Sequence, residues 1–139
     1  MSTEPSIFTR IINREIPATI VYEDDFTIAF LTIGPVTKGH TLVVPKEPFE
    51  NIMDGDITHL THMMATAQKV GKALIAAELG DGVNLYMNNG EAAGQEVFHA
   101  HLHVIPRTAG DDAVHIPATA IYDADEAETI GKQISAHLS

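Results

Sequence analysis

This chain has no cysteine. It can hold no disulfide and offers no thiolate to a metal, so any metal would have to rely on His, Asp or Glu. Positive charge is scarce: 8 Lys and Arg stand against 19 Asp and Glu, a formal net charge of -11. A nucleic-acid polymer needs a basic footprint, so that partner class is disfavoured. A small nucleotide needs only a local pocket and stays open. The acidic excess fits a solvated face or a salt-adapted surface. No apolar run is long enough to cross a bilayer. The opening Met1-Ser-Thr-Glu-Pro lacks a basic-then-apolar leader pattern. The expectation is a cytoplasmic protein with no membrane partner. Repeats and low-complexity stretches are also missing.

What is present is ordinary for one domain: 139 residues, 45% of them apolar, enough to bury a sizeable core. Residues 6–13 read as a short helix with Ile7, Phe8, Ile11 and Ile12 on its apolar side, ended by Pro17. Residues 19–22 and 26–31 read as a hairpin around the acidic turn Glu23-Asp24-Asp25. Residues 40–44 form a third strand closed by Pro45. Residues 54–79 carry the longest helical period, with Ile57, Leu60, Met63, Met64, Ala67, Val70, Leu74 and Ile75 recurring at three and four. Asp54 or Asp56 can cap its start, and Gly80 or Gly82 can follow its end. Residues 83–87 form another strand, and residues 123–138 a polar-rich terminal helix with Ala127, Ile130, Ile134 and Leu138 as its stripe. The expected class is α+β: an antiparallel sheet of about five strands, one long helix and a C-terminal helix. A single domain spans 1–139, its core about 6–110 and an extension about 111–139.

The most informative stretch is Phe98-His-Ala-His-Leu-His-Val-Ile-Pro106. Its period of two predicts a strand, with His99, His101 and His103 on one face and Phe98, Ala100, Leu102 and Val104 on the other. Packing alone does not call for three imidazoles in a row, because every buried ring nitrogen needs a partner. Two chemistries use such a row. A metal could bind it, since neutral imidazole is a common ligand. Or one ring could attack while its neighbours orient it or move protons. Just upstream, residues 88–95 are turn-rich. Gly90 and Gly94 let backbone amides approach a ligand, and such amides bind anions. His59 and His62 read as surface residues, and His115 as non-catalytic.

These residues resemble the histidine triad superfamily of nucleotide hydrolases and transferases. The motif His-φ-His-φ-His-φ-φ is matched by His99 to Ile105. Asn88-x-Gly90 and Gly94-Gln95 resemble its phosphate loop, Lys38-Gly39-His40-Thr-Leu-Val-Val-Pro45 its central strand, and Ile11-Ile-Asn-Arg-Glu-Ile-Pro17 its N-terminus. The resemblance covers roughly residues 6–110. It implies that His101 attacks the α-phosphorus of a nucleotide to form a nucleotidyl-histidine, which water resolves. His99 and His103 would orient His101, bind phosphate oxygens or pass a proton, with His40 behind them fixing a tautomer. Asn88, Gly94, Gln95 and Glu96 would hold the phosphate, and Thr32 and Ile33 would meet the nucleoside. It implies an adenine or other purine nucleotide as ligand, a homodimer, and no cofactor. His103 stands where nucleotide-transferring relatives have Gln, which favours hydrolysis of adenosine phosphoramidates or dinucleoside polyphosphates. Gly94-Gln95, Pro106-Arg107 and Ala109-Gly-Asp111 resemble the fragile-histidine-triad type; the N-terminal block resembles the phosphoramidase-like type.

The chain departs from the family at three places. Thr32 replaces an acid on the ribose, and Glu96 replaces Ser or Thr. Ser6, Thr9 and Pro48 stand where relatives with a zinc site have Cys, Cys and His, and there a triad histidine completes four ligands. Two rival readings follow: a metal enzyme or metal-binding protein using the histidine row, or a nucleotide-binding interaction protein with little turnover.

Overall fold

A computed structural model of the chain describes residues 5–113 and 116–138. His115 lies outside them. The framework is one five-stranded antiparallel sheet, β1 (Ile20–Glu23), β2 (Thr27–Leu31), β3 (Thr41–Pro45), β4 (Gly82–Tyr86) and β5 (Leu102–Arg107), in the order β1-β2-β3-β5-β4. Helix α1 (Ile7–Ile12) precedes it, α2 (Ile57–Ala76) joins β3 to β4, and α3 (Glu126–Ser135) ends the chain. The expected α+β class and strand count hold.

Local chemistry explains the ends. Ser6 caps α1, its Oγ accepting from the Thr9 amide at 3.1 Å. In the β1–β2 turn, Asp24 Oδ1 accepts from the amides of Phe26 and Thr27, so Phe26 is drawn into the turn and the strand starts one residue later than expected. Asp56, not Asp54, caps α2 through the Thr58 amide; Asp54 instead accepts from the amides of Glu50 and Asn51. The far end of α2 needs no glycine. Glu78 takes the left-handed conformation (φ 61°), and the Leu79 amide returns to the Leu74 carbonyl.

The sheet is packed on both faces, so β3 is buried throughout and β2 is buried up to Leu31, which is partly exposed. One face, with Ala29, Val43, Ala100, Leu102 and Val104, meets Met63, Ala67, Val70 and Leu74 of α2. The other face, with Ile28, Phe30, Leu42 and Val44, meets Phe8 and Ile11 of α1. Apolar burial of this kind stabilises at roughly 25 cal/mol per Å². Three residues of the α2 stripe, Ile57, Met64 and Ile75, are exposed. Met64 and Ile75 border an open groove with Val83 and Leu85 of β4. Ile7 of α1 is also half exposed. Helix α3 keeps the expected period but has no buried residue.

Candidate active site

The histidine stretch is not one continuous strand. The β5 ladder begins at Leu102, so only His103 of the three lies in it. Residues 98–101 run beside the segment after β3 instead, with the Ala100 amide bonded to the Phe49 carbonyl at 2.8 Å. The alternation still sorts most side chains: Ala100, Leu102 and Val104 bury toward α2. Phe98 does not follow; it is 49% exposed, because the chain has no sheet neighbour there to cover it.

Hydrogen-bond partners fix the tautomer of each ring, and His101 is the one that differs from the others. His101 Nδ1 lies 2.8 Å from the His99 carbonyl. A carbonyl only accepts, so Nδ1 carries the proton and Nε2 keeps its lone pair. That Nε2 has no hydrogen-bond partner among the described residues. His99 is arranged oppositely. Its Nε2 donates to the Pro45 carbonyl at 3.0 Å and its Nδ1 accepts from Ser6 Oγ at 2.7 Å, with Thr9 Oγ1 at 3.4 Å. Both nitrogens are committed, and the residue is 1% exposed. His99 therefore orients His101 through its backbone carbonyl, and its ring holds α1 in place. The ring is not free to bind phosphate or move a proton.

His103 is set by His40. Gly39 (φ 103°) sits so close to Leu74 and Pro106 that a Cβ would lie 3.1–3.2 Å from their side chains, and it delivers His40 to the start of β3. The Val36 amide donates to His40 Nδ1 at 3.0 Å. His40 Nε2 must then carry the proton and donate to His103 Nδ1, 2.9 Å away. His103 in turn carries its proton on Nε2. A second proton on His103 Nδ1 would set two N–H groups against each other. The His101 and His103 rings are neighbours, with centroids 5.0 Å apart, and the Phe8 edge meets His101 at 4.9 Å.

Electrostatics agrees with neutral rings. Burial pushes His101 below its ordinary value, partly opposed by its bond to the His99 carbonyl. Burial lowers His99 and His40 as well. His103 is pushed down to about 4, by burial first and then by His101 and His40.

The glycine-rich loop is braced by one side chain. Gln95, 3% exposed, accepts from the Gly90 amide at 2.8 Å and donates to the carbonyls of Glu50 and Val97. Its amide is used up inside the protein, so its expected phosphate contact is replaced by a bracing role. Gly90 (φ 96°) and Gly94 (φ 94°) turn the backbone around it, flanking a short 3-10 turn, Glu91–Ala93. Asn88 approaches the Gly94 carbonyl at 3.4 Å, and Glu96 is exposed. Thr32 Oγ1 accepts from the Gly34 amide at 3.3 Å, and Ile33 is fully exposed. His59 and His62 belong to α2; His62 stacks on Phe26 at 3.7 Å. The residue reading missed Val36, and Tyr86, which stacks on His103. Strand pairing was the signal that would have found Tyr86.

The residues do not fit zinc. Hydroxyls of Ser6 and Thr9 meet His99 Nδ1 as hydrogen-bond partners, neutral hydroxyls are poor zinc ligands, and Pro48 has no donor atom. The triad rings do not converge either, since each turns to a different partner. Among the described residues no three His, Asp or Glu side chains gather as a metal site.

Comparison with known proteins matches residues 13–110 to the HIT domain. A crystal structure of a HIT family protein from Bacillus subtilis superposes with TM-score 0.88 at 37% identity, covering 98% of this chain and 99% of that one. A zinc-bound histidine triad family protein from Mycobacterium smegmatis gives TM-score 0.75 at 34% identity, covering 94% and 96%. An adenylylsulfatase of Arabidopsis thaliana is 35% identical over 105 residues, 76% of this chain and 53% of its own length.

Proposed function

The chain belongs to the histidine triad family of nucleotide hydrolases and transferases, and from that premise we propose that it hydrolyses purine nucleoside phosphoramidates or dinucleoside polyphosphates at the α-phosphorus. The observation that carries this reading is the bond from His101 Nδ1 to the His99 carbonyl. It leaves an unprotonated Nε2, which is what an attacking imidazole needs.

In the first step His101 Nε2 forms a bond to the α-phosphorus. The bond from phosphorus to the amine nitrogen or bridging oxygen breaks, and the leaving group departs with that electron pair, an amine taking a proton from solvent. The His101 ring becomes positive, and the His99 carbonyl opposite Nδ1–H stabilises it. His103 Nε2–H donates a hydrogen bond to a phosphate oxygen or to the leaving atom. A neutral imidazole held as a donor suits charge that grows during the reaction. Water then attacks phosphorus, the bond to Nε2 breaks, and the nucleoside monophosphate leaves with one proton released. Asn88 and the backbone near Gly94 and Glu96 are the phosphate contacts, with Thr32 and Ile33 beside the nucleoside.

One relative is an adenylylsulfatase, which supports an adenylyl group as the transferred half. The reading includes a cytoplasmic location and a homodimer joined along β4. The test is turnover of an adenosine phosphoramidate beside a dinucleoside triphosphate, in wild type and in His101→Ala. Wild type should turn over at least one, and His101→Ala should lose several orders of magnitude while still binding AMP. A His101→Ala rate within tenfold of wild type would sink the reading.

A further inference from the structure

Tyr86 closes β4 directly across from His103 in the β4–β5 ladder, so both side chains rise from the same face. Their rings lie nearly parallel, 12° apart, with centroids at 4.3 Å. On the opposite flank His103 takes its one hydrogen bond, from His40. The titratable groups facing His103 are thus His40 from the loop before β3, His101 from its own segment, and Tyr86 from β4. A ring pinned at one nitrogen can still swing about that bond. A parallel aromatic face fixes its plane and removes water from one side. Tyr86 is itself 37% exposed, so without it that side of His103 opens to solvent.

We propose that Tyr86 is a positioning residue for His103: its ring holds the imidazole with Nε2–H on the side away from His40 and keeps it dry enough to stay neutral. This deepens the hydrolase reading and rests on it, since His103 matters there as a hydrogen-bond donor. Solvation of His103 would favour its charged form. The imidazolium would bring a proton to Nδ1 against the His40 N–H, break that bond and release the ring. The burial that pushes His103 down to about 4 is consistent with this role. Aromatic area supplies the cover, so the phenol oxygen is dispensable.

The experiment follows the His103 ring by ¹⁵N NMR titration in wild type, Tyr86→Phe and Tyr86→Ala, alongside pH profiles of kcat/KM on an adenosine phosphoramidate. Tyr86→Phe should match wild type in both within about threefold. Tyr86→Ala should move the His103 titration up toward the ordinary histidine value near 6.5. Its kcat/KM at pH 5.5, relative to pH 8, should fall about fivefold further than that of wild type. Tyr86→Thr, a strand former too small to cover the ring, replaces the alanine variant if that one does not fold, with the same expectation. A His103 titration unchanged in the small-residue variant overturns the proposal, even if activity drops uniformly at all pH values. A loss in Tyr86→Phe equal to that in Tyr86→Ala also overturns it, because the hydroxyl would then be the active part. If no protein turns over substrate, the hydrolase reading fails, and the NMR titration still decides the role of Tyr86.

Discussion

His101 donates its Nδ1 proton to the carbonyl of His99, two residues back in the same segment, at 2.8 Å. That single contact separates two neighbouring histidines into different trades. His99 is a structural histidine whose backbone carbonyl aims the proposed nucleophile. His101 is held in the tautomer that can attack.

The first prediction concerns the contact between α1 and His99. Ser6 Oγ both caps α1 and donates to the buried His99 Nδ1. Ser6→Ala removes a cap and leaves a buried acceptor unpartnered, costing about 2 kcal/mol. Thr9, at 3.4 Å, is the weaker partner, and Thr9→Ala should cost less. Chelator should leave the wild-type Tm unmoved, whereas a structural zinc contributes directly to folding. Thermal melts with and without chelator check this. A chelator-dependent drop of several degrees, with about one zinc per chain, would contradict it.

Stability should fall as the solution is acidified. His40, His99, His101 and His103 all have lowered values in the folded chain. Below the ordinary value near 6.5 the unfolded chain takes up protons that the folded chain refuses. More protons bound in the unfolded state means stability rises with pH. The stabilisation is complete above about 6.5 and is lost as pH falls, for His103 across the window down to about 4. Urea melts between pH 7.5 and 4.5 should show midpoints that decline with acid, and His103→Gln should flatten that decline. A midpoint independent of pH in this range would count against the buried neutral cluster.

The histidine period was legible in the sequence because alternation reports a face, and Ala100, Leu102 and Val104 did bury together. Alternation cannot report partners. His99 looked like its neighbours until Ser6, 93 positions away in sequence, and the Pro45 carbonyl claimed both its nitrogens. Gln95 sat in the right loop for phosphate, but burial turned its amide inward to Glu50 and Val97. On α2 the three-and-four spacing was read correctly, yet it marks a stripe wider than the sheet covers, leaving Met64 and Ile75 out. The α3 stripe had the same period and found no face within the described residues to pack on.

Those uncovered residues bear on the proposed homodimer. β4 is an edge strand, with unpaired backbone groups along its outer side. Beside it Val83, Leu85, Met64 and Ile75 are exposed around one groove. A homodimer joined along β4 would cover both features. Sedimentation should find wild type as a dimer, and Leu85→Lys should shift it to monomer at the same concentration. A wild-type protein that stays monomeric at ~100 μM, weaker than most stable interfaces allow, would refute the pairing.

The central claim is that His101 Nε2 becomes bonded to phosphorus. The direct measurement is rapid acid-free quench during turnover of an adenosine phosphoramidate, followed by proteolysis and mass spectrometry of the peptide carrying residues 99–103. The account predicts a substoichiometric adenylyl adduct on His101 that forms and decays with the catalytic cycle and is absent in His101→Ala. An adduct on His99 or His103, or brisk turnover with no adduct at any quench time, would contradict it.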